Sequence, residues 1–85
     1  MKTSLLVQEE GWVANVKIFD SRGRLEKYLL KNVLIGIEGT FSWDGINDDN
    51  LKSPIGIYIL YFELYDLNKK MKKIKKPFVL AGKLN

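Results

Sequence analysis

The sequence predicts an all-β sandwich of about seven strands. Apolar residues alternate at period two in several segments, turn-forming residues recur at the spacing of about 8–12 residues typical of sandwiches, and no strong helical pattern occurs. With 85 residues, the chain has the length of one small domain. Its 46% hydrophobic and 28% charged residues argue against a disordered chain.

The first predicted hairpin runs from Trp12 to Lys31. Apolar and polar residues alternate over Trp12–Phe19, and the chain returns as a second strand over Arg24–Lys31. Between them lies a turn, in which Asp20 caps the backbone and Gly23 supplies a positive φ. Further short strands are predicted at Ser4–Gln8, Val33–Glu38 and Gly39–Trp43. Of these, Val33–Glu38 is a strand or a single helical turn, and its β-branched residues favour the strand.

The second half of the chain predicts a longer hairpin. Gly56–Tyr65 is apolar on both faces, which is typical of a central strand or of one that lies against a neighbouring domain. A turn at Asp66–Lys70 leads to the last strand, Met71–Ala81. Pro77 has no N–H, so this strand is predicted at an edge or bulged.

The predicted core consists of the apolar positions that alternate in phase. Its members are Trp12, Ala14, Val16, Ile18, Leu25, Leu29, Phe41, Trp43, Tyr58, Leu60, Phe62 and Leu64. The tryptophans could instead form a sugar-stacking platform, as in a carbohydrate-binding module, but a core position is favoured. Tyr61 and Tyr65 are predicted on the opposite face of their strand, where they are better candidates for an exposed patch.

The composition argues against an enzyme. The chain has neither His nor Cys, which removes the usual general base, the commonest metal ligand and the thiolate nucleophile. Ser42 and Ser53 therefore have no His partner, and adjacent carboxylates such as Asp48 and Asp49 would point to opposite faces of a strand. We expect no catalytic residue, no cofactor and no cofactor-binding residue.

The loop Asp44–Asn50 contains five side chains that carry amide or carboxylate oxygens. A calcium site needs 6–8 oxygen ligands in fixed geometry, and the spacing is not that of an EF-hand. Asp and Asn side chains also cap the backbone amides of their own loop. The capping interpretation is favoured, and no metal ligand is predicted.

The net charge of +4 is concentrated in one segment, because six lysines lie within Lys69–Lys76 and the rest of the chain is mildly acidic. On a strand, Lys70, Lys72 and Lys76 share a face with Ile74, while the other three share a face with Met71. A small basic nucleic-acid-binding domain is one interpretation. Protection of an edge strand against aggregation is favoured. The residues predicted as a possible interaction surface are Tyr61, Tyr65, Lys70, Lys72 and Lys76.

Three segments carry a family resemblance. Val16–Leu25 has the pattern V-x-I-[FY]-D-x-x-G-R-L, Gly39–Asp49 contains W-D-G-x-[ND]-D, and Ser53–Leu60 contains G-[IV]-Y. In this order they resemble FlgD-type immunoglobulin-like domains, named for the flagellar hook-capping protein. The resemblance implies an immunoglobulin-like β-sandwich, a fold that also occurs as a C-terminal module of large exported bacterial proteins.

Gly56–Lys76 looks like the C-terminal domains of Bacteroidetes surface and secreted proteins, including lamin-tail-containing ones, some of which are sorting signals for the type IX secretion system. These resemblances imply that residues 1–85 are a single domain from the C-terminus of a longer exported chain. It would act as a spacer, docking or sorting element, with the preceding domain or the secretion or surface machinery as partner. The longest apolar stretch, Ile55–Phe62, is too short to span a membrane, and the first residues lack a signal peptide.

Overall fold

The computed structural model describes residues 2–6, 11–35 and 38–81, with side chains for 11–35 and 42–81. These residues form an all-β fold without a helix, as predicted, and so contain no helix long and apolar enough to cross a bilayer. The strands are β1 (Lys2–Leu6), β2 (Trp12–Asp20), β3 (Leu25–Ile35), β4 (Glu38–Ser42), β5 (Gly56–Tyr65) and β6 (Met71–Leu80).

The larger sheet is antiparallel and has the strand order β3-β2-β5-β6, while β1 and β4 form a separate antiparallel pair. The predicted central position of Gly56–Tyr65 is confirmed, because β5 lies between β2 and β6. The predicted edge position of the last strand is confirmed as well. Pro77 is tolerated there because an edge strand leaves half of its backbone N–H groups unpaired.

The prediction of about seven strands is wrong for the described residues, which form six. Arg24–Lys31 was expected as one strand and Val33–Glu38 as a second strand or a helical turn, but Leu25–Ile35 is the single strand β3 and Glu38 begins β4. The pairing of β3 with β2 shifts register between Ala14 and Val16, and Asn32 has a φ of 51°. This bulge absorbs an extra residue without ending the strand, because Asn adopts the left-handed region more readily than most residues.

The core lies on one face of the four-stranded sheet, which we call the inner face. Nine of the twelve predicted core residues are buried in this core: Trp12, Ala14, Val16, Ile18, Trp43, Tyr58, Leu60, Phe62 and Leu64. Leu29 is partly buried against them, and the side chain of Phe41 is outside the described part. Both tryptophans are at most 4% exposed, so they are core residues and cannot present a sugar-stacking surface.

Two core positions differ from the prediction. Leu25 is 50% exposed, because a register shift after Ile18 pairs it with Phe19, whose side chain lies on the opposite face. Ile35, at the end of β3, was not predicted and is buried. The bulges in β3 change the face of successive residues, so strict alternation fails on this strand.

Three turns share one hydrogen-bonding pattern. They are Asp20–Arg24, Asn47–Leu51 and Asp66–Lys70, and the first and last are the predicted hairpin turns. In each, the first side chain accepts hydrogen bonds from the amides of the third and fifth residues, at 2.9–3.0 Å. The backbone N–H of the first residue donates to the carbonyl of the fifth, and its carbonyl accepts from the fourth N–H. The first and last of these turns fix the register of the strands that they join.

Candidate interaction surface

The face of the four-stranded sheet opposite the core, which we call the outer face, is the larger candidate surface. Strand pairing places side chains from β2, β5 and β6 side by side on it. They are Val13, Asn15, Lys17, Phe19, Ile57, Ile59, Tyr61, Glu63, Tyr65, Met71, Lys73, Lys75, Pro77 and Val79. Three apolar members are well exposed: Ile57 at 60%, Val79 at 69% and Met71 at 58%.

An open cavity of about 380 Å³ lies at one end of the outer face. Its lining is Phe19, Gly23, Ile59, Tyr61 and Lys75. The rings of Phe19 and Tyr61 meet edge to face, with centroids 6.0 Å apart, and the Lys75 ammonium lies 5.8 Å from the Tyr61 ring centroid. An apolar or aromatic side chain of a partner would fit against these rings, with the Lys75 ammonium beside it.

A polar band crosses the middle of the outer face. Lys17 donates to Glu63 at 2.9 Å, and the two side chains are 26% and 23% exposed. The hydrogen bond to Glu63 raises the pKa of Lys17. The Tyr28 hydroxyl donates to the Asn15 side chain at 2.9 Å, and Lys17 also lies over the Tyr28 ring. These groups satisfy one another, so the free apolar area lies on either side of the band.

The structure does not bring the five predicted surface residues together. Tyr61 and Tyr65 lie half-buried on the outer face, where the Tyr65 hydroxyl donates to Asn32. Lys72 and Lys76 pair with Leu64 and Leu60 and therefore project on the inner-face side of β6, as the alternation predicted. The Lys72 ammonium lies 5.3 Å from the ring of Trp12. The last of the five, Lys70, is the fifth residue of the Asp66–Lys70 turn.

Among the outer-face residues, Phe19 and Ile59 were not singled out from the sequence, although apolar residues on both faces of Gly56–Tyr65 indicated a second covered face. The cavity arises because Phe19, in the first half of the chain, pairs with Ile59 across the β2–β5 ladder. Such a pairing between distant segments has no local signal in the sequence.

The free edge of β6 is a second candidate surface. In the described part of the chain no strand pairs with β6 on the side away from β5, and its ten residues pair with β5 without a register shift. Of its four lysines, Lys72 and Lys75 make cation–π contacts. Within the described residues, no carboxylate lies within 4.0 Å of any lysine in Lys69–Lys76.

The opposite edge of the sheet, β3, is covered over Glu26–Tyr28 by the Asp44–Ser53 loop. The Asp48 carboxylate accepts a hydrogen bond from the Tyr28 amide at 3.0 Å, and the Asp48 amide donates to the Glu26 carbonyl at 3.3 Å. The hydrogen bond from Tyr28 holds the pKa of Asp48 below its usual range. Glu26 in turn accepts from the Ser53 hydroxyl at 2.7 Å. Asp48 thus occupies the edge where another strand would pair.

The polar loop Asp44–Asn50 caps its own backbone, as the favoured interpretation predicted. Asp44 accepts from the amide of Ile46 at 2.9 Å, and Asn47 accepts from those of Asp49 and Leu51. The described residues contain no group of three or more carboxylate side chains arranged to hold a metal ion. These oxygens organise the loop that covers β3.

No protein-family model matches this chain, and no curated protein or solved structure does either. The likeness to FlgD-type domains is therefore an interpretation of the sequence motifs alone. In the structure, these motif residues have local structural roles: Asp20 caps a turn, and the Trp43 indole N–H donates to the Ile46 carbonyl at 2.9 Å.

Proposed function

We propose that this chain is a non-catalytic immunoglobulin-like module of an exported or cell-surface bacterial protein. In this proposal it docks onto the preceding domain of its own chain through the outer face of the four-stranded sheet. The observation that carries the proposal is the apolar area at one end of that face, where Ile57 and Val79, 60% and 69% exposed, lie next along their strands to the cavity at Phe19 and Ile59. Contiguous exposed apolar surface of this kind is typical of protein–protein contact sites.

Two further features support a sandwich module. The eight core residues that β2 and β5 place on the inner face, from Trp12 to Ile18 and from Tyr58 to Leu64, are at most 4% exposed, which is the burial expected where a second layer covers a sheet. The D-x-x-G and W-D-G motif residues shape turns, and this fits a fold signature better than an active site. Ser53, with its hydroxyl bonded to Glu26, is only 8% exposed and fastens the loop to β3.

A docking experiment tests the proposal. Ile57 and Val79 are cross-strand partners on the outer face, and both are exposed enough to be replaced without opening the core. The variant Ile57→Ser/Val79→Ser should lose binding to the polypeptide encoded immediately upstream in the same reading frame, measured by titration calorimetry. Docking that depends on buried apolar anchors falls about tenfold or more when they are truncated.

The matched control is Leu51→Ser/Leu67→Ser, which removes two leucines that are 63% and 95% exposed outside the sheet. Its binding should equal that of the parent chain. Equal loss in both variants would indicate a general solubility effect and contradict the proposed surface. A reading frame that encodes no further domain would contradict the module itself.

A further inference from the structure

We propose that the free edge of β6 accepts an extended acidic segment of a partner protein, which adds to the sheet antiparallel to β6 as a fifth strand. This site differs from the docking surface at Ile57 and Val79, although Lys75 belongs both to the edge and to the lining of the outer-face cavity. It needs two properties of an edge strand: backbone groups that face outward, and side chains that select the incoming strand.

The backbone groups that face outward follow from the pairing of β5 with β6. The Asp66 N–H donates to the Lys70 carbonyl, so these two residues form a hydrogen-bonded pair, and bonded and non-bonded pairs alternate along an antiparallel ladder. The register from there is unbroken, so Lys73, Lys75 and Pro77 lie in non-bonded pairs with β5. The missing N–H of Pro77 agrees with this assignment. Lys73 and Lys75 therefore present both their N–H and C=O groups to an added strand.

The side chains define the partner. Lys72 and Lys76 project on the inner-face side of β6, Lys73 and Lys75 on the outer-face side, and Ile74 lies between them. All four lysines are exposed, and no described carboxylate lies within 4.0 Å of them. An added strand would meet positive charge on both of its faces. The complementary segment has two acidic residues, one apolar residue and two more acidic residues in succession.

The two edges of the sheet differ in a way that supports this assignment. The β3 edge is bulged and covered by Asp48, so no strand can add there over Glu26–Tyr28. The β6 edge is regular over ten residues and protected by charge. Lysines repel a second copy of the same edge but attract an acidic strand. A nucleic-acid backbone is less suited, because the lysines are divided between two faces.

The probe is the peptide Thr-Glu-Glu-Val-Glu-Glu-Thr, blocked at both ends and titrated into the isotopically labelled chain at low salt. We expect binding that weakens as salt is added, together with slowed amide exchange at Lys73 and Lys75. The two glutamates next to Val pair with Lys73 and Lys75, so their N–H groups face β6. The outer glutamates pair with Lys72 and Lys76, so their N–H groups face away.

This geometry supplies a charge-matched control. N-methylation of the two inner glutamates removes two hydrogen bonds to β6 and should weaken binding about tenfold or more. N-methylation of the two outer glutamates keeps those bonds and should change the affinity little. Equal affinity of the two methylated peptides would overturn strand addition, since charge attraction alone would then explain binding.

Variants of the chain test whether the lysine side chains of β6 contribute to peptide binding. Lys72→Gln/Lys76→Gln and Lys73→Gln/Lys75→Gln should each weaken binding, while Lys31→Gln/Lys52→Gln, which removes two lysines elsewhere, should not. Failure of the peptide to bind at low salt would overturn the proposal. A single-stranded oligonucleotide of equal charge that displaces the peptide with higher affinity would do so too, in favour of nucleic acid. Ile57→Ser/Val79→Ser should retain peptide binding, which separates this site from the proposed docking face.

Discussion

Gly23 and Lys69 occupy the same left-handed position in two copies of one five-residue turn. Their φ angles are 85° and 64°, and Asn50 holds the third copy of the position at 62°. Each turn has the same four hydrogen bonds, although the three residues that occupy this position differ in how well they tolerate a positive φ. The Asp66–Lys70 turn therefore keeps its type without a glycine, and Lys69 bears backbone strain that Gly23 does not.

The turn comparison predicts opposite effects of two substitutions. Lys69→Gly should raise the free energy of unfolding by about 0.5–1 kcal/mol, because glycine adopts positive φ without a Cβ clash. Gly23→Ala should lower it by about 1 kcal/mol, and because a Cβ there would meet nothing within 4 Å, that cost is purely conformational. Urea unfolding measures both effects. As a control, Asn50→Gly should change the free energy of unfolding less than Lys69→Gly does. A destabilised Lys69→Gly variant would contradict the turn assignment.

Two aspartates predict how stability depends on pH. Amide hydrogen bonds, chiefly from Arg24 and Tyr28 respectively, lower the pKa values of Asp20 and Asp48. Because the folded pKa lies below the ordinary value of about 3.9, the stabilisation is present above about pH 4 and is lost as the pH falls through the folded pKa.

Asp20→Asn and Asp48→Asn should each flatten the decline of the urea midpoint below about pH 4, since Asn still accepts the amide hydrogen bonds but does not titrate. Asp49→Asn is the matched control, because the Asp49 side chain makes no hydrogen bond or ion pair within the described residues. If Asp49→Asn flattened the acid limb as much as the other two, the pH dependence would come from net charge and not from these hydrogen bonds.

The Lys17–Glu63 pair joins β2 to β5 in the middle of the outer face. A double-mutant cycle with Lys17→Met and Glu63→Gln should give a favourable coupling energy of about 0.5–1 kcal/mol, the upper range for pairs that retain solvent contact. The coupling, measured by denaturant unfolding, should shrink in about 1 M salt because the screening length falls to roughly 3 Å. A coupling that salt leaves unchanged would indicate packing of the aliphatic parts.

The lysines of β6 are expected to keep the chain from associating with itself. Lys73→Thr/Lys75→Thr removes two charges at the residues whose backbone faces outward and introduces β-favouring side chains. Analytical ultracentrifugation should then detect dimers at concentrations where the parent chain stays monomeric. Lys31→Thr/Lys52→Thr, with the same charge change, should remain monomeric. Dimers in both variants would assign the effect to net charge.

The alternation of apolar and polar residues in β2 and β5 was sufficient to predict which of their side chains form the core. Strict period two placed Ala14, Val16 and Phe62 in the core correctly, because side-chain direction in a regular strand depends only on sequence position. Asp20 with Gly23, and Asp66 at its turn, predicted both hairpins, since an aspartate caps its own turn through local hydrogen bonds. The placement of Lys72 and Lys73 on opposite faces followed from the same rule.

Only the tertiary structure decided the features that depend on pairing between distant segments. The bulge at Asn32, whose amide donates to the Asn15 side chain on the neighbouring strand, merged two expected strands, and a separate register shift after Ile18 moved Leu25 out of the core. Pairing likewise set Phe19 beside Ile59 and left β6 at the edge, with Asp48 covering the other edge. The sequence located the six lysines in one segment. Whether they protect an edge depends on which strand lacks a neighbour, and that strand order is a property of the whole sheet.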